Sequence, residues 1–299
     1  MRLLRYLIVS GSAAAMAGAV TLTGAATATT AAAPARVHHA APSARFISEA
    51  RTALVRYLRH NHPQAMLVRT HQAHAIKNVT VTRSFNWSGY ADGSKTTKAG
   101  TFTRVSGSWT TPSVKCGAED ELTSEWVGLD GWISSSLEQL GTMSWCYRGA
   151  AVYFTWWEMF PTGTGLIRVG NALKPGDKIT ASVTRSGANY TLKLTDATTP
   201  GNGFTTKQTC PATTCTDTSA EWIAERPSFG IGIAPLAHYN AFRITNGKQT
   251  SGGKAGTIGS FATVNEVTMI DATQAYDLNT VSGLTSKNSS FSTTWQNSY

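Results

Sequence analysis

From Phe85 onward apolar and polar residues alternate over short runs, and no stretch sustains a 3.6-residue period. Ile179, Ala181 and Val183 alternate with polar neighbours, Ser-Gly-Ala-Asn at 186–189 supplies a turn, and Tyr190, Leu192 and Leu194 alternate again. That pattern predicts a β-hairpin with a polar outer face. Similar runs at 102–109, 152–160, 166–169 and 261–270, separated by Gly-rich and Thr-rich turns, predict an antiparallel sandwich or barrel. Ahead of Phe85 the period changes. Phe46, Ala50, Leu54 and Leu58 recur every four residues, which places them on one face of an amphipathic helix, with Arg51, Arg56 and Arg59 elsewhere on its surface.

The first 35 residues follow neither pattern. Arg2 and Arg5 precede an apolar, Ala-rich run that ends in the small-residue sites Ala26-Thr27-Ala28 and Ala33-Pro34-Ala35. This is the signature of a secretory signal peptide, and the Ser, Gly and Thr interruptions without a basic stop-transfer flank argue against a stable membrane anchor. The expected location is extracellular. With 41% hydrophobic and 14% charged residues in 299, the remainder is a globular chain able to bury a sizeable core.

Charge then divides the chain. Residues 1–83 hold ten Lys and Arg against one acid, Glu49, whereas residues 84–299 hold sixteen of each sign. The net charge of +9 therefore belongs to the N-terminal region, and a nucleic-acid-binding stripe on the folded domain is excluded. Six of the seven histidines also precede Arg83, while all nine Trp and all four Cys follow it. The expected organisation is a signal peptide at 1–35, a basic, partly helical prosegment at 36–83 and an all-β domain at 84–299. Nothing in the sequence demands more than a monomer.

Cys116, Cys146, Cys210 and Cys215 allow three pairings in an oxidising compartment, and proximity alone favours Cys116 with Cys146 and Cys210 with Cys215. The domain has one histidine, His238, and no C-x-x-C pair, so no metal or other cofactor is expected. The same scarcity narrows the hydrolytic chemistry. There is no G-x-S-x-G elbow to join His238 in a serine triad, no H-E-x-x-H, and no paired D-T-G or D-S-G. A proton-transfer group in this domain is expected to be a carboxylate.

Three segments are too specific for ordinary strands: Trp126-Val-Gly-Leu-Asp130-Gly followed by Glu138-Gln139-Leu140-Gly141-Thr142; Trp156-Trp157-Glu158-Met-Phe160-Pro161; and Ala220-Glu221-Trp222-Ile-Ala-Glu225. Ahead of them stands Asn86-Trp87-Ser88-Gly89. In this order and spacing the chain resembles the glutamic peptidases of the G1 type, the eqolisins, in a secreted, bacterial-type form. The resemblance covers about residues 84–245. It implies a jelly-roll-like sandwich of two antiparallel sheets and an acid-active endopeptidase, with Gln139 and Glu221 as its dyad and polypeptides as substrates. It departs from the Gln-Thr-Gly of fungal members at Leu140.

The residue types suit the chemistry. Hydrolysis without a metal or a covalent nucleophile needs a base for water, an acid for the leaving amine and a donor for the oxyanion. Glu221 can serve as base and then acid, and the Gln139 amide can orient the water and stabilise the oxyanion. Glu158 is expected to support the site or bind substrate, or to be a buried structural carboxylate; Asp130 is expected to support it from behind, and Trp87, Trp126, Trp156 and Phe160 to line the cleft. Trp109, Trp145 and Trp295 are expected in the core. Two rival readings are a sandwich glycosidase using Glu158 and Glu221, and a secreted carbohydrate-binding module using the aromatics. Residues 36–83 carry a net charge of +7 that six protonated histidines raise to +13, so the prosegment is further expected to inhibit its own domain and to be released by acid.

Overall fold

The computed structural model describes residues 41–58, 74–76, 79–117, 120–161, 168–229 and 232–299. The expected signal peptide and most of the expected prosegment outside its helix lie beyond the described residues. The hairpin forms as the alternation predicts. Lys178–Ser186 pairs antiparallel with Asn189–Asp196 in the register Val183↔Leu192, closed by Gly187-Ala188, with Ile179, Ala181, Val183, Tyr190, Leu192 and Leu194 all buried on one side.

Two antiparallel sheets pack face to face. One has nine strands in the order His74–Ile76, Val79–Ser84, Val264–Met269, Trp87–Asp92, Ala220–Glu225, Leu122–Leu129, Leu137–Tyr147, Ala150–Phe160 and Arg168–Ala172. Its one parallel pairing joins Val79–Ser84 to Val264–Met269. The other runs Phe204–Thr209, Asn189–Asp196, Lys178–Ser186, Phe102–Thr110, Ala241–Ser251, Phe291–Trp295 and Asn279–Val281, with Lys254–Thr257 folded back on Ala241–Ser251. Of the run at 166–169, residues 168 and 169 open the Arg168–Ala172 strand and 166–167 lie outside the described residues; the run at 261–270 forms Val264–Met269.

Between the sheets, Val105, Val183, Leu192 and Ile244 meet Val127, Leu140 and Trp222. The Trp222 indole also donates across the sandwich to the Ser106 carbonyl at 2.9 Å, so this large ring is buried with its polar atom satisfied. Both disulfides form as proximity favours, Cys116–Cys146 and Cys210–Cys215. Trp109 and Trp145 are buried, and Trp295 packs at the core edge, stacked on His238 at 3.8 Å.

The helix, Ala44–Leu58, lies on the outer face of the nine-stranded sheet, and buries Ala50, Leu54 and Leu58 in a second apolar cluster with Trp87, Trp126, Trp145, Phe154, Trp156 and Val169. Phe46 packs on Tyr147 at 5.3 Å, and Arg51 donates to the Val169 carbonyl at 3.0 Å. No helix among the described residues is long and apolar enough to cross a membrane.

Candidate active site

Period two decides which side chains meet. On Leu137–Tyr147 the odd positions Gln139, Gly141, Met143 and Trp145 face outward, while Glu138 and Leu140 face the sandwich interior. On Ala220–Glu225 the outward positions are Glu221, Ile223 and Glu225; on Ala150–Phe160 they include Phe154, Trp156 and Glu158. Strand register then aligns Glu221 with Gly128, Gly128 with Gln139, and Gln139 with Glu158 in one row across the sheet. Three of the four sequence motifs thus converge on a single line of side chains, and the fourth brings Ala91 beside Glu221 and Trp87 beside Glu225.

Gly128 is the reason Gln139 and Glu221 face each other. It lies between them with no side chain, so the two Cα atoms stand two strand spacings, about 10 Å, apart. A Cβ at Gly128 would meet Gln139 Cβ and Trp126 Cζ3 at 3.0 Å each. Any larger residue would crowd Gln139 and Trp126.

The side chains are poised rather than self-satisfied. Gln139 Nε2 donates to Glu158 Oε2 at 3.1 Å, which fixes the amide plane, while its Oε1 accepts no hydrogen bond among the described residues. Neither carboxyl oxygen of Glu221 completes a hydrogen bond there either. Burial raises the Glu221 carboxyl well above the usual range, and the Asp130 and Asp92 carboxylates push the same way; the Ser219 hydroxyl and the Trp132 backbone oppose the shift without overcoming it. A buried acid with unused acceptor atoms costs stability unless something else uses them.

Asp130 works from below. Its carboxylate accepts from the backbone N–H groups of Asp217 and Thr218 at 2.6 and 2.7 Å, and from the hydroxyls of Ser136, Thr216 and Thr218. These bonds clamp residues 216–218 immediately before the strand that carries Glu221, and the Cys210–Cys215 disulfide closes the chain just upstream. Asp130 therefore sets where that strand begins. Trp87, Trp126 and Trp156 lie on the same outer face, buried within the cluster that the helix completes, and half-buried Phe160 ends its strand beyond Glu158. The Leu140 departure points into the sandwich core, away from Gln139 and its partners.

Two residues of this face lie within the singled-out segments, but sequence reasoning gave them no role. Glu225 follows Glu221 by four positions, so in a strand it shares the outer face; the period-two rule alone could have found it. Its hydrogen bond from Trp126 crosses strands and has no local signature. The meaning of Gly128 likewise depends on register. Among the described residues Glu138, Cys210 and Cys215 cluster as metal ligands would, but both sulfurs are in a disulfide and offer no thiolate.

A carboxamide and a carboxyl thus stand on either side of a glycine on the outer face of an all-β sandwich. The chain belongs to the Peptidase A4 family, whose model matches residues 85–295. Among solved structures it is similar to scytalido-glutamic peptidase crystallised with a transition-state-analogue inhibitor, at 23% identity and a TM-score of 0.58, over 71% of this chain and 98% of that one. It is also similar to SCP-B, an eqolisin in complex with the tripeptide Ala-Ile-His, at 23% identity and a TM-score of 0.54 over the same shares. Aspergilloglutamic peptidase from Aspergillus niger matches at 21% identity and a TM-score of 0.50, over 59% and 99%. No curated protein sequence matches the chain. The family makes the protein a glutamic peptidase, and the solved structures share its fold.

Proposed function

We propose that the protein is an exported acid endopeptidase in which Gln139 and Glu221 form the reacting pair. The observation that carries this reading is the row Glu221–Gly128–Gln139–Glu158, with unused polar atoms of Glu221 and Gln139 on the same face. Glu221 takes a proton from water, as the water oxygen bonds to the peptide carbonyl carbon, in the ionised form that burial disfavours here and that access of water to the site favours. Gln139, its amide plane fixed by Glu158, orients that water and donates its remaining N–H to the oxyanion. Glu221 then passes the proton to the amide nitrogen as the C–N bond breaks, which regenerates the carboxylate.

The glycosidase alternative fits this geometry poorly. Glu158 and Glu221 are three strand spacings apart, about 14 Å between Cα atoms, whereas paired glycosidase carboxyls stand roughly 5–9.5 Å apart. Gln139 also lies between them and holds Glu158.

The prosegment helix lies on the face that carries the pair, which supports inhibition of the domain by its own prosegment. Apolar burial holds the helix: Leu54 and Leu58 together contribute about 3–6 kcal/mol. The exposed Glu49–Arg148 contact at 3.9 Å contributes at most about 1 kcal/mol. Acid release by charge therefore has to act through the basic, His-rich residues flanking the helix, with proteolysis making it permanent.

The test is hydrolysis of denatured haemoglobin by acid-processed protein at about pH 3 with pepstatin present. Activity that resists pepstatin and is lost in folded Gln139→Ala and Glu221→Gln variants supports the dyad. Activity that survives Gln139→Ala overturns it.

A further inference from the structure

The outer face carries a third acidic side chain. Glu225 is 1% exposed, and its Oε2 accepts a hydrogen bond from Trp126 Nε1 at 2.8 Å. Register places Glu225 beside Ser124, Ile223 beside Trp126, and Glu221 beside Gly128. Nε1 and Cζ3 lie on opposite sides of an indole. With Nε1 held at the Glu225 end and Cζ3 3.0 Å from where a Gly128 Cβ would be, the ring reaches along its strand from one acidic residue towards the row of the other.

The room for this ring is built into the sheet. A Cβ at Gly141, the facing residue on the next strand, would stand 2.6 Å from Trp126 Cβ and 2.1 Å from the Glu125 carbonyl oxygen, so glycine alone lets Trp126 sit there. Trp87 closes on it edge-on at 4.7 Å and 78°. Packing thus confines the indole to its slot, and the bond to Glu225 anchors its N–H end.

We propose that Glu225 is a positioning residue of the peptidase site, fixing the Trp126 indole so that its benzo edge borders the floor over Gly128 and sets the gap between Gln139 and Glu221. The proposal rests on the reading of Gln139 and Glu221 as the reacting pair. Glu225 acts as an uncharged acceptor. Burial pushes its carboxyl up to about 8, against the hydrogen bond from Trp126 and the pull of the nearby Trp87 and Asn86 side chains, and with Glu158 the neighbouring carboxylate that adds to the shift. In acid it is a neutral carboxyl, whose carbonyl oxygen a glutamine can replace.

The test compares kcat and KM at about pH 3 for acid-processed Glu225→Ala, Glu225→Gln and Trp126→Phe, with Glu225→Ala/Trp126→Phe closing a double-mutant cycle. Glu225→Ala is expected to lower kcat about tenfold or more with KM changed by less than about threefold, because the substrate still binds but the water and carbonyl are less well placed. Glu225→Gln should restore most of that loss, whereas the same change at Glu221 abolishes turnover. Trp126→Phe keeps an aromatic ring without the N–H, and should lower kcat as Glu225→Ala does. Adding Glu225→Ala to it should cost no more. Wild-type kcat in Trp126→Phe, or losses that multiply in the double variant, would overturn the proposal even if Glu225→Ala alone proved unable to fold. If Glu221→Gln remains active, it is the dyad that fails, not this coupling.

Discussion

The two faces of the nine-stranded sheet both bury acidic groups, but differ in what stands beside them. Glu138 and Gln139 are neighbours in sequence and opposites in space. Glu138 points inward, where burial and the nearby Asp130, Asp217 and Glu221 carboxylates raise its pKa well above the usual range, against the pull of Arg185. Asp217, paired with Arg185 at 3.0 Å and accepting from the Tyr190 hydroxyl, is pushed up to about 7, mainly by burial. Glu125, held by Thr123 and Thr142, also rises to about 7 for the same reason. Glu221 on the outer face shows the same direction from the same cause. A raised pKa therefore does not identify a reacting acid in this molecule. What separates the faces is the glycine gap beside Glu221 and the fixed amide opposite it.

The largest expected effect tests that separation directly. Glu221→Gln should lower kcat/KM by about 10²–10⁴ and Gln139→Ala by about 10²–10³, the ranges for losing an acid–base group and an oxyanion donor. Glu138→Gln, one residue from Gln139 but on the inner face, should leave kcat/KM at acid pH within about threefold of the parent, as expected for a group that meets no substrate. Steady-state assays on the three processed, folded proteins decide it. A large loss in Glu138→Gln would collapse the distinction between the faces.

How legible each face was in the sequence follows from the same geometry. The second sheet has one wet side, so residues 178–196 alternate and their hairpin can be read directly. In Leu122–Leu129 and Leu137–Tyr147 nearly every residue is buried on both faces, so alternation disappears and only the motif resemblance located them. Gln139 and Glu221 were singled out because that resemblance names them. Gly128 and Glu225 take their roles from cross-strand register, which a local pattern does not encode. The parallel pairing of Val79–Ser84 with Val264–Met269 joins segments far apart in the chain and was invisible for the same reason.

A smaller effect probes the gap itself. Gly128→Ala places a methyl 3.0 Å from both Gln139 Cβ and Trp126 Cζ3. Such overpacking costs about 1–3 kcal/mol of stability, and here the displaced groups belong to the site. The expected outcome is a folded protein with kcat/KM lowered at least tenfold, roughly the effect of a 1.4 kcal/mol rise in the barrier. Near-parental turnover would show that the floor over Gly128 is not where the carbonyl and water meet.

The inner face predicts a dependence of stability on pH. The folded pKa of Glu125 is raised from 4.5 to about 7, so the fold prefers its neutral form. Its contribution is intact below about pH 4.5 and is lost progressively as pH climbs towards about 7, on the order of 3 kcal/mol by neutrality. Asp217 acts in the same direction over a similar window. Urea denaturation across this range should show the parent weakening as pH rises, and Glu125→Gln should flatten that slope. An unchanged slope would mean that Glu125 is not the titrating group.

The smallest expected effect concerns the one departure from the fungal motif. Leu140 lies between Gln139 and Gly141, yet its side chain is fully buried between the sheets and touches none of the outer row. Leu140→Thr restores the fungal residue, but it replaces apolar volume with a smaller side chain bearing a hydroxyl in the core. Stability should fall by about 2–4 kcal/mol, as for a large-to-small core substitution with a polar group added, and kcat should stay within about twofold. A thermal melt beside an assay on the processed protein reads both at once. Because neighbouring strand residues belong to opposite faces, a change in the middle of the Gln-x-Gly motif should register in the melt and not in the rate; a rate change would show that the sandwich core transmits to the amide of Gln139.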